Sequence, residues 1–71
     1  NIQMTHVAKT IEVSAASDKS EEDAVRNGLH KIASTVSGIQ GAWISETKVR
    51  TDAEGRILEW RVVMRVSFLV L

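Results

Sequence analysis

From Thr5 the chain alternates: Val7, Ile11 and Val13, with Lys9, share one parity, while His6, Thr10 and Glu12, with Ala8, share the other. A period of two predicts a half-buried strand over Thr5–Val13. Asn1–Gln3 precede a methionine; Met4 is expected to be the natural start, and the three residues before it are given no structural weight. Ser14–Ser20 is small and polar and is read as a loop. Ser20 is placed to cap a helix by accepting the backbone N–H of Asp23, and Glu21, Glu22 and Asp23 suit the positive end of that helix. The spacing of Ala24, Val25, Gly28, Leu29, Ile32, Ala33 and Val36 then predicts an amphipathic helix over Glu21–Ser37, with Gly38 as its left-handed stop. Ala42–Thr51 and Arg56–Leu71 are predicted strands around the turn Asp52–Gly55, where Gly55 supplies a positive φ.

The last strand is the most apolar. Leu58, Trp60, Val62, Met64, Val66, Phe68 and Val70 form one unbroken face, and Ile57, Val63, Leu69 and Leu71 add apolar positions to the other. Extended, Ile57–Leu71 spans roughly 45–50 Å at ~3.3 Å per residue. The helix covers only about 25 Å at ~1.5 Å per residue. One helix cannot cover that face, so the remainder is expected to meet another subunit. In the order strand–helix–strand–strand, the first two strands run together and the third runs against both. Placing the third between them gives an α+β, two-layer β-α-β-β fold: an antiparallel three-stranded sheet of order 1-3-2 packed on one helix.

Composition narrows the function classes. At 71 residues the chain, from residue 5 to 71, is one small domain. Such a core rarely supplies more than ~3–5 kcal/mol, so disulfides, metals or oligomerisation are the usual supplements. The absence of Cys removes disulfides and thiolate metal sites. Nine Lys+Arg balance nine Asp+Glu, which argues against nucleic-acid and membrane-surface partners. No apolar run approaches the ~20 residues of a membrane-spanning helix, and a cytoplasmic location is expected.

Catalytic residue patterns are sparse. The four glycines are scattered rather than gathered into a phosphate loop, and His6 and His30 lie in different elements, where a surface or interface place is expected for each. Asp52, Glu54 and Glu46 carry oxygens suited to a hard cation, but without the spacing of a Ca²⁺ loop they suit an exposed hairpin tip better. No nucleophile–base pair is evident, and the chain is expected not to be an enzyme. Trp43, with Arg50 and Arg61 on the hairpin, is the ligand-binding candidate, since an indole offers a flat face and a guanidinium can donate to carbonyls or phosphate. Core or interface packing for both tryptophans and ordinary ion pairing for the arginines are the simpler assignments.

Residues His6–Leu71 resemble the dodecin family of small β-α-β-β subunits. The resemblance rests on His6-Val7-x-Lys9-x-x-Glu12-Val13 in the first strand and Ser17-x-x-Ser20-x-Glu22-x-Ala24-Val25 into the helix. Asn27, Thr35 and Ile39 follow, and Trp60-Arg61-Val62-Val63-Met64-Arg65-Val66-Ser67-Phe68 is similar to the family's aromatic-Gln-Val-x-Leu-x-Val-Gly-Phe strand. The resemblance implies a hollow homododecamer built from trimers, with flavin (riboflavin or FMN) at subunit interfaces, kept for storage or protection rather than turned over. It also implies a strand-two tryptophan stacked on the flavin and a strand-three glutamine hydrogen-bonded to it.

The sequence departs from that pattern at both ligand positions. Counted from Ile39, the family's tryptophan place is Gly41, and Trp43 lies two residues further on. With a two-residue insertion Trp43 is the stacking residue; without it Gly41 leaves the slot open and Trp43 fills or lines the cavity. The ungapped alignment keeps Ile44 core-facing and Glu46 on a recurrent acidic position, and is preferred. Either way Trp43 keeps its strand parity. The glutamine place is Arg61, which can donate but not accept. The expected ligand residues are therefore Trp43, Arg61, Arg50 and Gly41, with no metal site. The alternative is a flavin-free shell whose slot is filled by its own side chains or a small ion.

Overall fold

A computed structural model describes residues 7–70. The expected start at Met4, His6 and the last strand residue Leu71 lie outside the described residues. The elements are β1 (Val7–Ser17), α1 (Glu21–Ala33), β2 (Ile39–Thr51) and β3 (Ile57–Val70). They form one antiparallel sheet of order β1-β3-β2 with the helix on one face, which is the α+β architecture expected.

Three boundaries differ from the sequence reading. β1 continues four residues past Val13, so most of the expected loop Ser14–Ser20 is strand, with Ala15 paired to Val62 and Ser17 to Trp60. Small residues end this strand because the helix crosses close above them. Ser17 is buried and fixes the crossing: its hydroxyl donates to Asp23 Oδ2 at 2.6 Å and accepts the N–H of Lys19 at 2.9 Å. Ser20 then caps the helix as expected, accepting the Asp23 N–H at 3.0 Å. The helix is one turn shorter than the apolar spacing suggested, because the Ser34 and Thr35 hydroxyls donate to the carbonyls of Lys31 and Ile32 and close its end. Val36 lies beyond it, and Ala33 is exposed rather than packed. Gly38 does take positive φ (+80°), but it turns the chain into β2 rather than stopping the helix, and its carbonyl accepts the Leu69 N–H at 2.9 Å. β2 therefore starts at Ile39, three residues before the expected Ala42.

The core sits where α1 meets β1 and β3. Ala24, Val62, Met64 and Val66 are fully buried, with Trp60 and Phe68 half-buried beside them. At the ends of the same β3 face Leu58 and Val70 stay exposed, so the helix covers only the middle, as the length comparison required. α1 packs on β1 and β3. Every residue of β2 after Ile39 is exposed, which leaves the helix-side positions Ile44 and Val49 uncovered along a free edge strand. The radius of gyration is 15.4 Å, whereas a compact chain of this length has one of about 11 Å.

Gly28 marks the closest approach of helix and sheet. A Cβ there would lie 2.6 Å from Met64 Cε and 3.0 Å from Ala15 Cβ. Gly28→Ala should gain up to about 1 kcal/mol in helix propensity, yet overpacking of this kind costs about 1–3 kcal/mol. The expected net result is a loss of roughly 1 kcal/mol in denaturant unfolding. A more stable variant would show that the interface opens freely.

Candidate functional site

The position of Trp43 depends on a bulge. Near the turn, Val49 pairs with Trp60 and Thr47 with Val62, both on the helix side of the sheet. At Ser45 the register slips by one residue, and beyond it Ile44 pairs with Met64 and Trp43 with Arg65. Ser45 is the extra residue, its hydroxyl donating to the Val63 carbonyl at 3.0 Å. Directly paired residues share a face, so Trp43, Glu46, Lys48 and Arg50 stand with Arg65, Val63, Arg61 and Glu59 on the face away from the helix. Unbroken alternation would have put Trp43 and Arg50 on opposite faces.

On this open face a cleft of about 260 Å³ is lined by Thr10, Gly41, Ala42, Trp43, Arg65 and Ser67. Its floor is the row Thr10–Ser67–Gly41 across the three strands. Nothing lies within 4 Å of where a Gly41 Cβ would be, so the absent side chain leaves its space to the cleft. Trp43 forms the wall and is 67% exposed. The Arg65 guanidinium lies over the indole, 5.7 Å from its centroid, a cation–π arrangement. The Ser67 hydroxyl donates to the Gly41 carbonyl at 3.4 Å, joining floor and edge. A flat aromatic wall, an open floor and hydroxyl groups suit a planar ligand with a polar edge. The volume lies just below the ~300 Å³ at which small-molecule pockets usually begin.

The four expected ligand residues fall into two groups. Gly41 and Trp43 line the cleft together. Arg61 and Arg50 gather around Glu59 instead, donating to its Oε1 at 2.9 and 3.3 Å. The Arg61 bond, then that of Arg50, holds the Glu59 carboxyl below its ordinary pKa. Arg61 is four residues from Arg65 along β3, roughly 13 Å at ~3.3 Å per residue. Within one subunit the structure does not bring it to Trp43. Arg61 also borders a smaller pocket with Ser14, Glu46, Lys48 and Val63.

Other candidates resolve simply. Asp52 spends its oxygens locally: Oδ1 accepts the N–H groups of Glu54 and Arg56, and Oδ2 accepts Arg56 Nε at 2.8 Å. The Arg56 backbone bond chiefly lowers its pKa. This Asx-type turn, with Gly55 at φ +85°, builds the hairpin tip and leaves no vacant oxygen pair for a cation. His30 is exposed in the last turn of α1. Among the described residues no three His, Cys, Asp or Glu side chains converge on a metal position. Thr10, Arg65 and Ser67 were not singled out in the sequence. Parity and register together would identify Arg65 as the partner of Trp43, but only once the Ser45 bulge is known.

The β-α-β-β chain with the helix on one sheet face and an aromatic cleft on the other defines the class of small two-layer α+β domain. The chain belongs to the dodecin family, whose family model matches residues 7–70. Proteins of this family are non-catalytic, and this chain is not an enzyme. Among solved structures it is similar to dodecin from Streptomyces davaonensis at 22% identity, with a TM-score of 0.88 over 96% of this chain and 98% of that one. A tryptophan-to-phenylalanine variant of the Thermus thermophilus dodecin also has 22% identity, with a TM-score of 0.86 over 94% and 98%. A Mycobacterium tuberculosis protein described as a calcium-chelating antigen, calcium dodecin, is 28% identical, with a TM-score of 0.77 over 92% and 91%. No curated protein matches the chain by sequence. Among the described residues no helix is long and apolar enough to cross a membrane.

Proposed function

We propose that the chain is the subunit of a homododecameric shell that binds flavin, riboflavin or FMN, at subunit interfaces for storage or protection. The observation that carries this reading is the exposed Trp43 indole on the cleft of the open sheet face. Trp43 stacks on the ring system, Gly41 leaves room for it, and Arg61 and Arg50 of a neighbouring copy supply polar contacts. Storage needs burial of the ring and no acid–base pair, which agrees with the absence of any catalytic residue pattern.

A second reading keeps the shell and removes the flavin. It is favoured by Arg65, which already lies over the indole, and by Arg61 standing where the family has glutamine. The slot is then closed by the chain's own side chains or by a small ion, whose ligands would have to come from more than one subunit. Titration of riboflavin and FMN with purified protein separates the two. Flavin fluorescence should fall on binding, and Trp43→Ala should weaken binding by about 5- to 150-fold, since base–aromatic or ring stacking contributes about 1–3 kcal/mol. Unchanged fluorescence from a twelve-subunit particle supports the flavin-free shell; a monomer by light scattering overturns both readings.

A further inference from the structure

The packing that suits position 28 to glycine also creates a reactive pair of residues. A Cβ there would collide with Met64 Cε and press on Ala15 Cβ. The residue before it is Asn27, and no other asparagine in the sequence is followed by glycine. An asparagine side chain is open to attack by the next backbone nitrogen, and a following glycine has no side chain to obstruct that attack. In the folded subunit both reacting groups are engaged elsewhere. The Asn27 amide reaches back along the helix and donates to Asp23 Oδ2 at 3.1 Å. The Gly28 N–H lies within α1, where it belongs to the ladder of bonds to the carbonyl four residues earlier. Asn27 is exposed, so the helix protects it and burial does not.

We propose that Asn27–Gly28 is a spontaneous deamidation site gated by folding, which irreversibly marks subunits that remain unfolded. In the unfolded chain the Gly28 nitrogen attacks Cγ of Asn27. The new C–N bond closes a five-membered succinimide, the Cγ–Nδ2 bond breaks, and ammonia leaves with the proton of the attacking nitrogen. Water, the one co-reactant, then opens the ring: breaking the new bond gives aspartate, and breaking the original peptide bond gives isoaspartate. No oxidation or reduction is involved. Both products work against refolding. Aspartate replaces the hydrogen bond to Asp23 with a second carboxylate four residues away, a destabilising like-charge spacing on a helix. Isoaspartate adds a carbon to the main chain in mid-helix, which breaks the ladder and moves Gly28 off its contact with Met64. A core this small leaves little stability to absorb such a fault.

The test is to age the purified protein at mildly alkaline pH, natively and in guanidinium, and to follow conversion by peptide mass mapping and isoaspartyl methyltransferase labelling. Conversion at Asn27 should be at least about a hundredfold slower in the native sample, because only the small unfolded fraction reacts. In guanidinium, Asn27→Gln should abolish the signal and Gly28→Ala should slow it; both comparisons use unfolded chains, so neither depends on how the variant folds. After dilution from guanidinium, isoaspartate should be depleted from the folded fraction and enriched in the remainder. Equal rates in the native and unfolded samples overturn the proposal. So does conversion that persists in Asn27→Gln, or isoaspartate chains that refold as fully as unmodified ones.

Discussion

Met64→Ala is expected to remove about 2–5 kcal/mol of subunit stability, the range for truncating a fully buried large side chain. Met64 has no exposed surface and lies in the central strand under the helix. Among the described apolar residues only Ala24, Val62 and Val66 share that complete burial, so little else can compensate. A core of this size rarely supplies more than ~3–5 kcal/mol, so the variant keeps only a small part of the subunit's stability. Denaturant unfolding followed by tryptophan fluorescence measures the loss; a change below about 0.5 kcal/mol would place Met64 outside the core. The same site gives an internal control. Met64 Cε stands where a residue-28 Cβ would lie, so Gly28→Ala should be harmful in the wild type and much less harmful in Met64→Ala. Such coupling is expected only of side chains competing for one space.

The architecture was legible because two strong periods carry it. Alternation in β1 and β3 and the apolar stripe of α1 fix which faces meet, and the chain order then leaves one sensible strand order. What was lost lay where small or hydroxyl residues do structural work. Ala15, Ala16 and Ser17 look like a loop by composition, yet the close helix crossing at Gly28 demands small side chains under it. Ser34 and Thr35 look helical by position, yet their hydroxyls compete for the last carbonyls and end the helix. The site was legible in part. Trp43 stands out as an aromatic on a polar strand, but the face it occupies depends on one unpaired residue, Ser45, and a period-two pattern cannot reveal which residue of a strand is extra. Arg61 stood out for its place on the hairpin and for the family pattern, whereas the residue beside the indole is Arg65.

The proposed assembly should be broken by a charge on the uncovered side of β2. Ile44 pairs with Met64 and so belongs to the helix side of the sheet, but α1 stops short of it and leaves it 41% exposed. Val49, on the same side and 43% exposed, lies further along toward the hairpin tip. Within one subunit Ile44→Lys therefore has little to disrupt: surface substitutions usually change stability by about 0.5 kcal/mol or less. In an assembly that covers this strand the same change loses burial of the 41% of Ile44 that one subunit leaves exposed, about 0.5–1 kcal/mol. It also places an unpaired ammonium in the interface, at a further cost of several kcal/mol. A closed shell repeats that penalty in every copy, so the expected result is a shift from the large particle to monomers or small oligomers in light scattering. The far-ultraviolet spectrum should stay that of an α+β fold, and flavin binding should be lost along with the particle, since the proposed site draws Arg61 and Arg50 from a neighbouring copy. An Ile44→Lys protein that still forms the full particle would put the subunit contacts elsewhere, at the exposed ends of β3 around Leu58 and Val70. The contrast between an almost silent change in the subunit and a decisive one in the particle follows from burial: the strand that carries Trp43 is the strand the fold leaves uncovered on both faces.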